Sequence, residues 1–287
     1  MALETLARGY GLLEGPLWLP GQGLLFSDVH HGGVFRLDAE NRVETVVGHR
    51  RGIGGLAWHV AGGLVVSGRN VAFKPLGAGA TLPLLERDVV AGAVGFNDLT
   101  TDAAGRVYVG SLAASPFDAA AAPRMGALHC IDLDGSQRVV GHDISLTNGL
   151  GFSPDGRTLY HSDSRVHTVW QYTVAANGDL GEKRVFVTTT RGLPDGLAVA
   201  VDGSVWVALA DGGHGVVVFE PDGCEREFIR IPEPMCTSLC FGGADLRELY
   251  IVSGSDGAGH DDAGAVHRLR VAVAGLPVPP ARVRLPG

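Results

Sequence analysis

Short apolar runs recur along this chain at intervals of 40, 43, 51, 47 and 42 residues. Each run opens at one repeating position, passes through a few apolar residues and ends in a turn rich in Gly, Pro or Asp. The six opening residues are Glu14, Gly54, Asn97, Asn148, Asp195 and Thr237. A period of this length is typical of a supersecondary unit repeated around or along an axis.

The residues after each turn predict further strands. A second run is rich in β-branched and aromatic residues, as in Val205-Trp206-Val207, and a third alternates apolar with polar residues, as in Thr168-Val169-Trp170-Gln171-Tyr172. A fourth run follows in several units. We therefore predict an all-β, six-bladed propeller of four antiparallel strands per blade, forming one domain over residues 1–287. One or two β-sandwiches are the alternative, but sandwich strands show no such repeat.

The opening positions predict a ring of oxygen ligands. The first strand of each propeller blade lines the central axis, so Glu14, Asn97, Asn148 and Asp195 are expected to meet at one mouth of the channel. Carboxylate and amide oxygens suit one hard divalent cation, most simply Ca²⁺, with Mg²⁺, Mn²⁺ or Zn²⁺ as alternatives. Asn or Asp before Gly also forms turns, which would explain each residue singly. Glu has no such preference, and facing carboxylates without a cation would repel each other.

Other polar residues are expected on the same face. Asp98 occupies a position that is Gly or Ser in the other repeats, so it is a candidate base, an orienting residue or a turn former. The loops between second and third strands carry His30 and Arg69, and Arg124 ends a long loop; these three are candidate substrate contacts. The segment Leu112–Met125 is apolar for a loop, and we expect it to pack over the pocket as a lid.

Charge and composition narrow the class of partner. The formal net charge of −8 argues against nucleic acid or an anionic membrane as a partner. The N-terminal residues lack the apolar core of a signal peptide, and no run of about twenty apolar residues occurs. A cytoplasmic protein acting on a small molecule is the expectation, and the sequence carries no signal for its oligomeric state.

Several motifs in order resemble a known family. The stretches Leu13-Glu14-Gly-Pro-Leu-Trp18, Phe96-Asn97-Asp98, Thr147-Asn148-Gly-Leu and Leu193-Pro194-Asp195-Gly196-Leu are similar to the senescence marker protein, regucalcin and gluconolactonase family. The resemblance implies a six-bladed propeller that binds one divalent cation and hydrolyses lactones. It further implies that Glu14, Asn148 and Asp195 bind the metal, that Asn97 contacts metal or substrate, and that Asp195 is the general base, with Asp98 as a rival.

One departure from the family pattern concerns the substrate. Members that act on sugar lactones carry an Arg before Phe-Asn-Asp, whereas this chain has Gly95. We therefore expect a lactone with few hydroxyl groups, unless Arg69 or Arg124 supplies the missing guanidinium. Two other functions share such a ring and stay open at this point: hydrolysis of organophosphate triesters, and calcium binding without catalysis.

Overall fold

The computed structural model describes residues 2–48, 50–117 and 124–287. Strands in the first half are β1 (Glu4–Tyr10), β2 (Leu13–Leu19), β3 (Gly23–Asp28), β4 (Val34–Leu37), β5 (Val43–Val47), β6 (Leu56–His59), β7 (Gly63–Val66), β8 (Val71–Pro75), β9 (Leu82–Leu85), β10 (Gly95–Thr101), β11 (Val107–Leu112), β12 (Gly126–Ile131) and β13 (Gln137–Ile144). Strands in the second half are β14 (Thr147–Phe152), β15 (Thr158–Asp163), β16 (Thr168–Thr173), β17 (Arg184–Thr188), β18 (Leu193–Val199), β19 (Val205–Ala210), β20 (Gly215–Phe219), β21 (Glu225–Arg230), β22 (Met235–Gly242), β23 (Glu248–Gly254) and β24 (Gly264–Arg270).

These strands form six antiparallel sheets of four strands each, which confirms the predicted propeller. Blades 1 to 5 are β2–β5, β6–β9, β10–β13, β14–β17 and β18–β21, and blade 6 is β22–β24 with β1. The inner strands β2, β6, β10, β14, β18 and β22 each contact the inner strands of the neighbouring blades, so the ring is closed. The only helical elements in the described ranges are two 3₁₀ turns, Arg87–Val89 and Ser164–Val166, and neither is an apolar helix of membrane-spanning length.

Apolar side chains fill the spaces between blades. The buried residues form six clusters, one at each interface between neighbouring blades. Between blades 5 and 6, for example, the rings of Trp206 and Phe241 meet edge to face at 5.2 Å. Strand residues that are β-branched or aromatic suit such half-buried pleated surfaces, which is why the repeat is visible in the sequence. This packing holds the six inner strands, and so the mouth of the channel, in fixed positions.

Both chain ends contribute to blade 6, because the last repeat opens at Thr237 and β1 precedes the first inner strand. Strand β1 pairs with β24, with Glu4 opposite Arg268 and Tyr10 opposite Gly264. Blade 6 is also tied to blade 1 by the Thr237 hydroxyl, which donates to the Leu13 carbonyl at 2.6 Å. Closure removes the exposed sheet edges that would otherwise remain at the junction.

Residues 271–287 form a strap across the face opposite the channel mouth. Backbone N–H groups of this strap donate to Arg247 in blade 6, Val199 in blade 5, Gly105 in blade 3 and Trp58 in blade 2. Its side chains reach the core, since Ala281 is fully buried against the cluster between blades 2 and 3. The strap therefore links four blades at the end of the channel farthest from the predicted ligand ring.

Candidate active site

Irregular pairing at the start of the inner strands aims the ring side chains at the axis. In five of the six inner strands the register with the second strand shifts at the ring position, between Glu14 and Leu17, Phe96 and Leu99, Thr147 and Leu150, Pro194 and Leu197, and Cys236 and Ser238. Such bulges leave one or two residues unpaired and turn their side chains out of the regular alternation. The propeller brings the starts of the inner strands together at the axis, and the bulges set the direction of the ring side chains.

The ring contains two buried carboxyl groups close enough to interact. Glu14 is 8% exposed and Asp195 is 5% exposed. Burial, and for Glu14 also the negative charge of Asp195, raises the pKa of both groups well above the usual carboxyl range. Asp195 Oδ1 is buried and accepts no hydrogen bond from the described part of the chain. An unpartnered buried carboxylate oxygen beside a second carboxyl group is costly, and a bound cation would remove that cost.

Asn148 completes a set of hard oxygen donors. Its side chain is 9% exposed and lies between Asn97 on one side and Ser164 on the other. Across residues 2–48, 50–117 and 124–287, no three His, Cys, Asp or Glu side chains converge as a metal-binding group. A cation at the ring would therefore depend on the Asn148 amide oxygen together with Glu14 and Asp195. Two carboxylates and an amide oxygen fit a hard divalent cation such as Ca²⁺.

The orientation of Asn97 distinguishes it from the other three. Asn97 Nδ2 donates to Asn148 Oδ1 at 2.5 Å and to the Thr147 carbonyl at 2.8 Å. Its Oδ1 points toward blade 2, because a Cβ built on Gly54 would lie 2.2 Å from that oxygen. The structure thus places Asn97 in the ring with its amide nitrogen toward Asn148. Its predicted contact with metal or substrate stays a prediction.

Asp98 sits against the inner strand of blade 2. A Cβ on Gly55 would lie 2.7 Å from Asp98 Oδ1, so the glycine makes room for this carboxyl group. Asp98 Oδ1 accepts the Leu99 N–H at 2.7 Å. Burial raises the pKa of Asp98 to about 7, and its charge in turn acts on both Glu14 and Asp195. Of the two residues predicted as a base, Asp195 is therefore in the ring and Asp98 lies beside it, close enough for its charge to act on the ring carboxyl groups.

The residues predicted to contact substrate lie at the rim. His30 is exposed, and its ring meets Phe117 edge to face at 5.4 Å, which joins the loops of blades 1 and 3. Arg69 is exposed and follows Gly68, whose N–H donates to the Phe96 carbonyl; Arg69 is thus close to Gly95 in the neighbouring blade.

Arg124 is exposed beside the loop before blade 3, since a Cβ on Gly92 would lie 2.7 Å from its guanidinium. The predicted lid runs from Leu112 to Met125, and its residues 118–123 lie outside the described part of the chain. The Phe117 contact with His30 joins the described start of this segment to blade 1, and the lid stays a prediction.

Sequence reasoning did not identify two polar residues in the loops around the channel mouth. Arg50, in the connection from blade 1 to blade 2, donates to Asn70 Oδ1 at 2.8 Å, and its partial burial lowers the pKa of its guanidinium. Ser164 contacts Asn148 directly. Neither lies at a repeat position, so the periodicity gives no signal for them. In the sequence, Ser164 looks like an ordinary loop residue.

Comparison with known proteins places the chain in a family. Residues 12–255 match the family described as SMP-30/Gluconolactonase/LRE-like region, and the chain belongs to this family. It is 33% identical to pentonolactonase XacC of Haloferax volcanii, with 95% of each chain covered. It is 32% identical to 6-deoxy-6-sulfogluconolactonase of Pseudomonas putida, covering 96% of this chain and 97% of that protein. The resemblance to this family read from the motifs is thereby confirmed.

The fold is shared with solved structures. A calcium-binding protein, regucalcin from Agrobacterium tumefaciens, superposes with a TM-score of 0.85 at 22% identity, with 98% of each chain covered. Identity at this level shows the shared propeller.

Proposed function

We propose that this protein is a metal-dependent hydrolase that opens a lactone ring. The observation that carries the proposal is the buried ring of Glu14, Asn148 and Asp195, in which Asp195 Oδ1 has no hydrogen-bond partner within the described ranges. Two of the relatives that match over nearly the whole chain, at 33% and 32% identity, are lactonases, which supports this reaction class. Cation binding by this ring and lactone hydrolysis are thus proposed together.

Glu14, Asn148 and Asp195 would hold the cation, and their oxygen donors favour Ca²⁺. When bound, the cation would act as a Lewis acid toward the lactone carbonyl and stabilise negative charge on its oxygen. Asn97 presents an amide to the same space and would orient the substrate. We propose that substrate enters at the ring mouth, the end of the channel opposite the strap.

Asp195 or Asp98 would accept the proton of the attacking water. Asp195 has a free buried oxygen, whereas Asp98 lies beside the ring with one oxygen bonded to a backbone N–H. A carboxylate bound to a cation is a weaker base than a free one, because the positive charge stabilises its ionised form. Asp98→Asn and Asp195→Asn distinguish the two. If Asp98 is the base, Asp98→Asn lowers kcat and leaves cation affinity intact; if Asp195 is the base, Asp98→Asn keeps most of the turnover and Asp195→Asn loses both turnover and cation affinity.

We further propose a substrate with fewer hydroxyl groups than a sugar lactone. Gly95 offers no guanidinium, and the rim beside blade 3 exposes Val94 by 43%, Phe117 by 61% and Met125 by 59% of their surfaces. Apolar groups cannot satisfy substrate hydroxyls, so a polyol would lose hydrogen bonds on entering this mouth. Arg69 is the feature that opposes this proposal, because it lies close to Gly95 and carries the kind of guanidinium group that Gly95 lacks.

A substrate panel tests the proposal. Proton release is followed for plain γ- and δ-lactones, for sugar lactones and for one organophosphate triester, with each of Ca²⁺, Mg²⁺, Mn²⁺ and Zn²⁺. We expect lactone hydrolysis in the presence of a cation and a higher kcat/KM for plain lactones. Preference for a sugar lactone would show that Arg69 or another donor replaces the missing Arg. Turnover of the triester alone, or cation binding with no turnover, would contradict the lactonase proposal.

A further inference from the structure

The Ser164 hydroxyl connects two of the proposed cation ligands from adjacent blades. Asn148 Nδ2 donates to Ser164 Oγ at 2.7 Å, and Ser164 Oγ donates to the Pro194 carbonyl at 2.6 Å. Pro194 immediately precedes Asp195 in β18. Ser164 itself is 2% exposed and opens the 3₁₀ turn that follows β15. One buried hydroxyl group thus contacts the side chain of one proposed ligand and the backbone next to another.

The direction of these hydrogen bonds fixes which end of the Asn148 amide faces the ring. A serine hydroxyl has one proton, and Ser164 gives that proton to Pro194. Its oxygen can then only accept from Asn148, so the amide nitrogen must point toward Ser164. Asn97 Nδ2 reinforces this orientation by donating to Asn148 Oδ1. A flipped Asn148 would place its NH₂ group against both the Asn97 NH₂ group and the cation.

We propose that Ser164 is a positioning residue for the cation site: it holds the Asn148 oxygen toward the channel and fixes the backbone that carries Asp195. This inference rests on the proposed function, because it requires that the ring binds a cation. Residues that orient metal ligands commonly change metal affinity by about 10–100-fold when they are replaced. The Ser164 hydroxyl is buried against Asn148 and Pro194, so its effect should appear in cation binding before any chemistry occurs.

The chain offers a matched control two residues away. Ser162 is fully buried in β15, and its hydroxyl has no hydrogen-bond partner within the described residues. Ser164→Ala and Ser162→Ala therefore remove the same group from the same strand end. The first change removes two hydrogen bonds that reach proposed ligands, whereas the second removes none. Ser164→Thr keeps a hydroxyl at the position and serves as the conservative rescue.

The experiment measures the Kd of the full chain for Ca²⁺ by calorimetry, without substrate, alongside Tm of the cation-free protein. We expect Ser164→Ala to weaken binding about 10-fold or more, Ser164→Thr to restore part of the affinity, and Ser162→Ala to leave Kd unchanged. A lower Tm with unchanged Kd in Ser164→Ala would overturn the inference and leave Ser164 a purely structural link between blades 4 and 5. Equal weakening in Ser162→Ala would also overturn it.

The same experiment separates failure of the proposed cation site from failure of the inference about Ser164. If the wild-type protein binds none of Ca²⁺, Mg²⁺, Mn²⁺ or Zn²⁺, the cation site itself is refuted and the role of Ser164 falls with it. If the wild-type protein binds a cation but Ser164→Ala binds it equally well, only the inference about Ser164 is refuted.

Discussion

Replacing Glu14 by Gln should stabilise the cation-free protein and remove its response to added metal. Glu14 and Asp195 are both buried, and the charge of Asp195 raises the pKa of Glu14. Two like charges within about 8 Å repel by roughly 2 kcal/mol or more at an effective dielectric constant of about 20. Gln keeps the shape of Glu but carries no charge. Because burial and the charge of Asp195 disfavour ionised Glu14 in the folded protein, Glu14→Gln should raise the free energy of unfolding at pH 8 by about 2 kcal/mol.

This gain converts to a measurable change in Tm. For a chain of this size, 1 kcal/mol corresponds to about 2 °C, so the variant should melt roughly 4 °C above the wild-type protein without metal. A cation at about 100 times its Kd stabilises the wild-type protein by about 2.7 kcal/mol, or roughly 5 °C. The variant should lose most of that rise, because it lacks one ligand. The added cation should therefore remove most of the difference in Tm between the two proteins.

The assay is thermal unfolding followed by circular dichroism, with chelator and then with each divalent cation. Asp88→Asn is the control, because Asp88 is an exposed carboxylate away from the ring and its side chain is 81% accessible. This control should change Tm little under either condition. Lower stability of Glu14→Gln in chelator, or an equal metal-induced rise in both proteins, would refute the reasoning that Glu14 and Asp195 repel each other across a cation site.

Three further outcomes are expected. Asp195→Asn should abolish turnover, whereas Asn97→Ala should mainly raise KM, and steady-state kinetics measures both. A raised KM in Asp195→Asn together with lost turnover in Asn97→Ala would contradict these roles. Burial alone would raise the pKa of Glu233, but the hydrogen bond and charge of His267 lower it overall. That carboxylate therefore stabilises the fold above the unfolded pKa near about 4.3, and the contribution is lost as pH falls through its lower folded pKa. Glu233→Gln should cost about 1–2 kcal/mol in urea unfolding at pH 7 and almost nothing at pH 3, and an equal cost at both values would contradict this account. Ala281→Asp should destabilise by more than about 3 kcal/mol, because it buries a charge under the strap, and an unchanged urea midpoint would show that the strap is not needed.

The repeat in the sequence predicted the fold because propeller geometry depends on strand periodicity. Inner strands with the same pattern occupy equivalent positions around the axis, so residues such as Glu14 and Asp195 meet although 181 positions separate them. The pairing of β1 with β24 has the same origin: β1 lies before the first repeat and closes the blade that the last repeat opens. Features that repeat once per blade are therefore visible in one sequence.

Features that occur once were not predicted. The strap after β24 has apolar residues such as Ala281 and Val283, but no period relates them to the blades they contact. Ser164 acts through hydrogen bonds to residues 16 and 30 positions away, which no local pattern reports. Asp28, at the end of β3, is another single feature without a repeat signal. It is buried and accepts N–H groups of Gly11 and three other residues, so it holds the loop that leads into blade 1.

The most direct test of the cation-dependent site is to measure metal affinity and lactone turnover together in the double variant Glu14→Gln, Asp195→Asn. Both side chains keep their shape, and two of the three proposed ligands lose their charge. We predict that the wild-type protein loses lactone hydrolysis in chelator and regains it when a divalent cation is added. The double variant should bind no cation in the range where the wild-type protein saturates, and it should show no turnover above the uncatalysed rate. Full metal affinity and full turnover in the double variant would contradict the assignment of this ring as the active site.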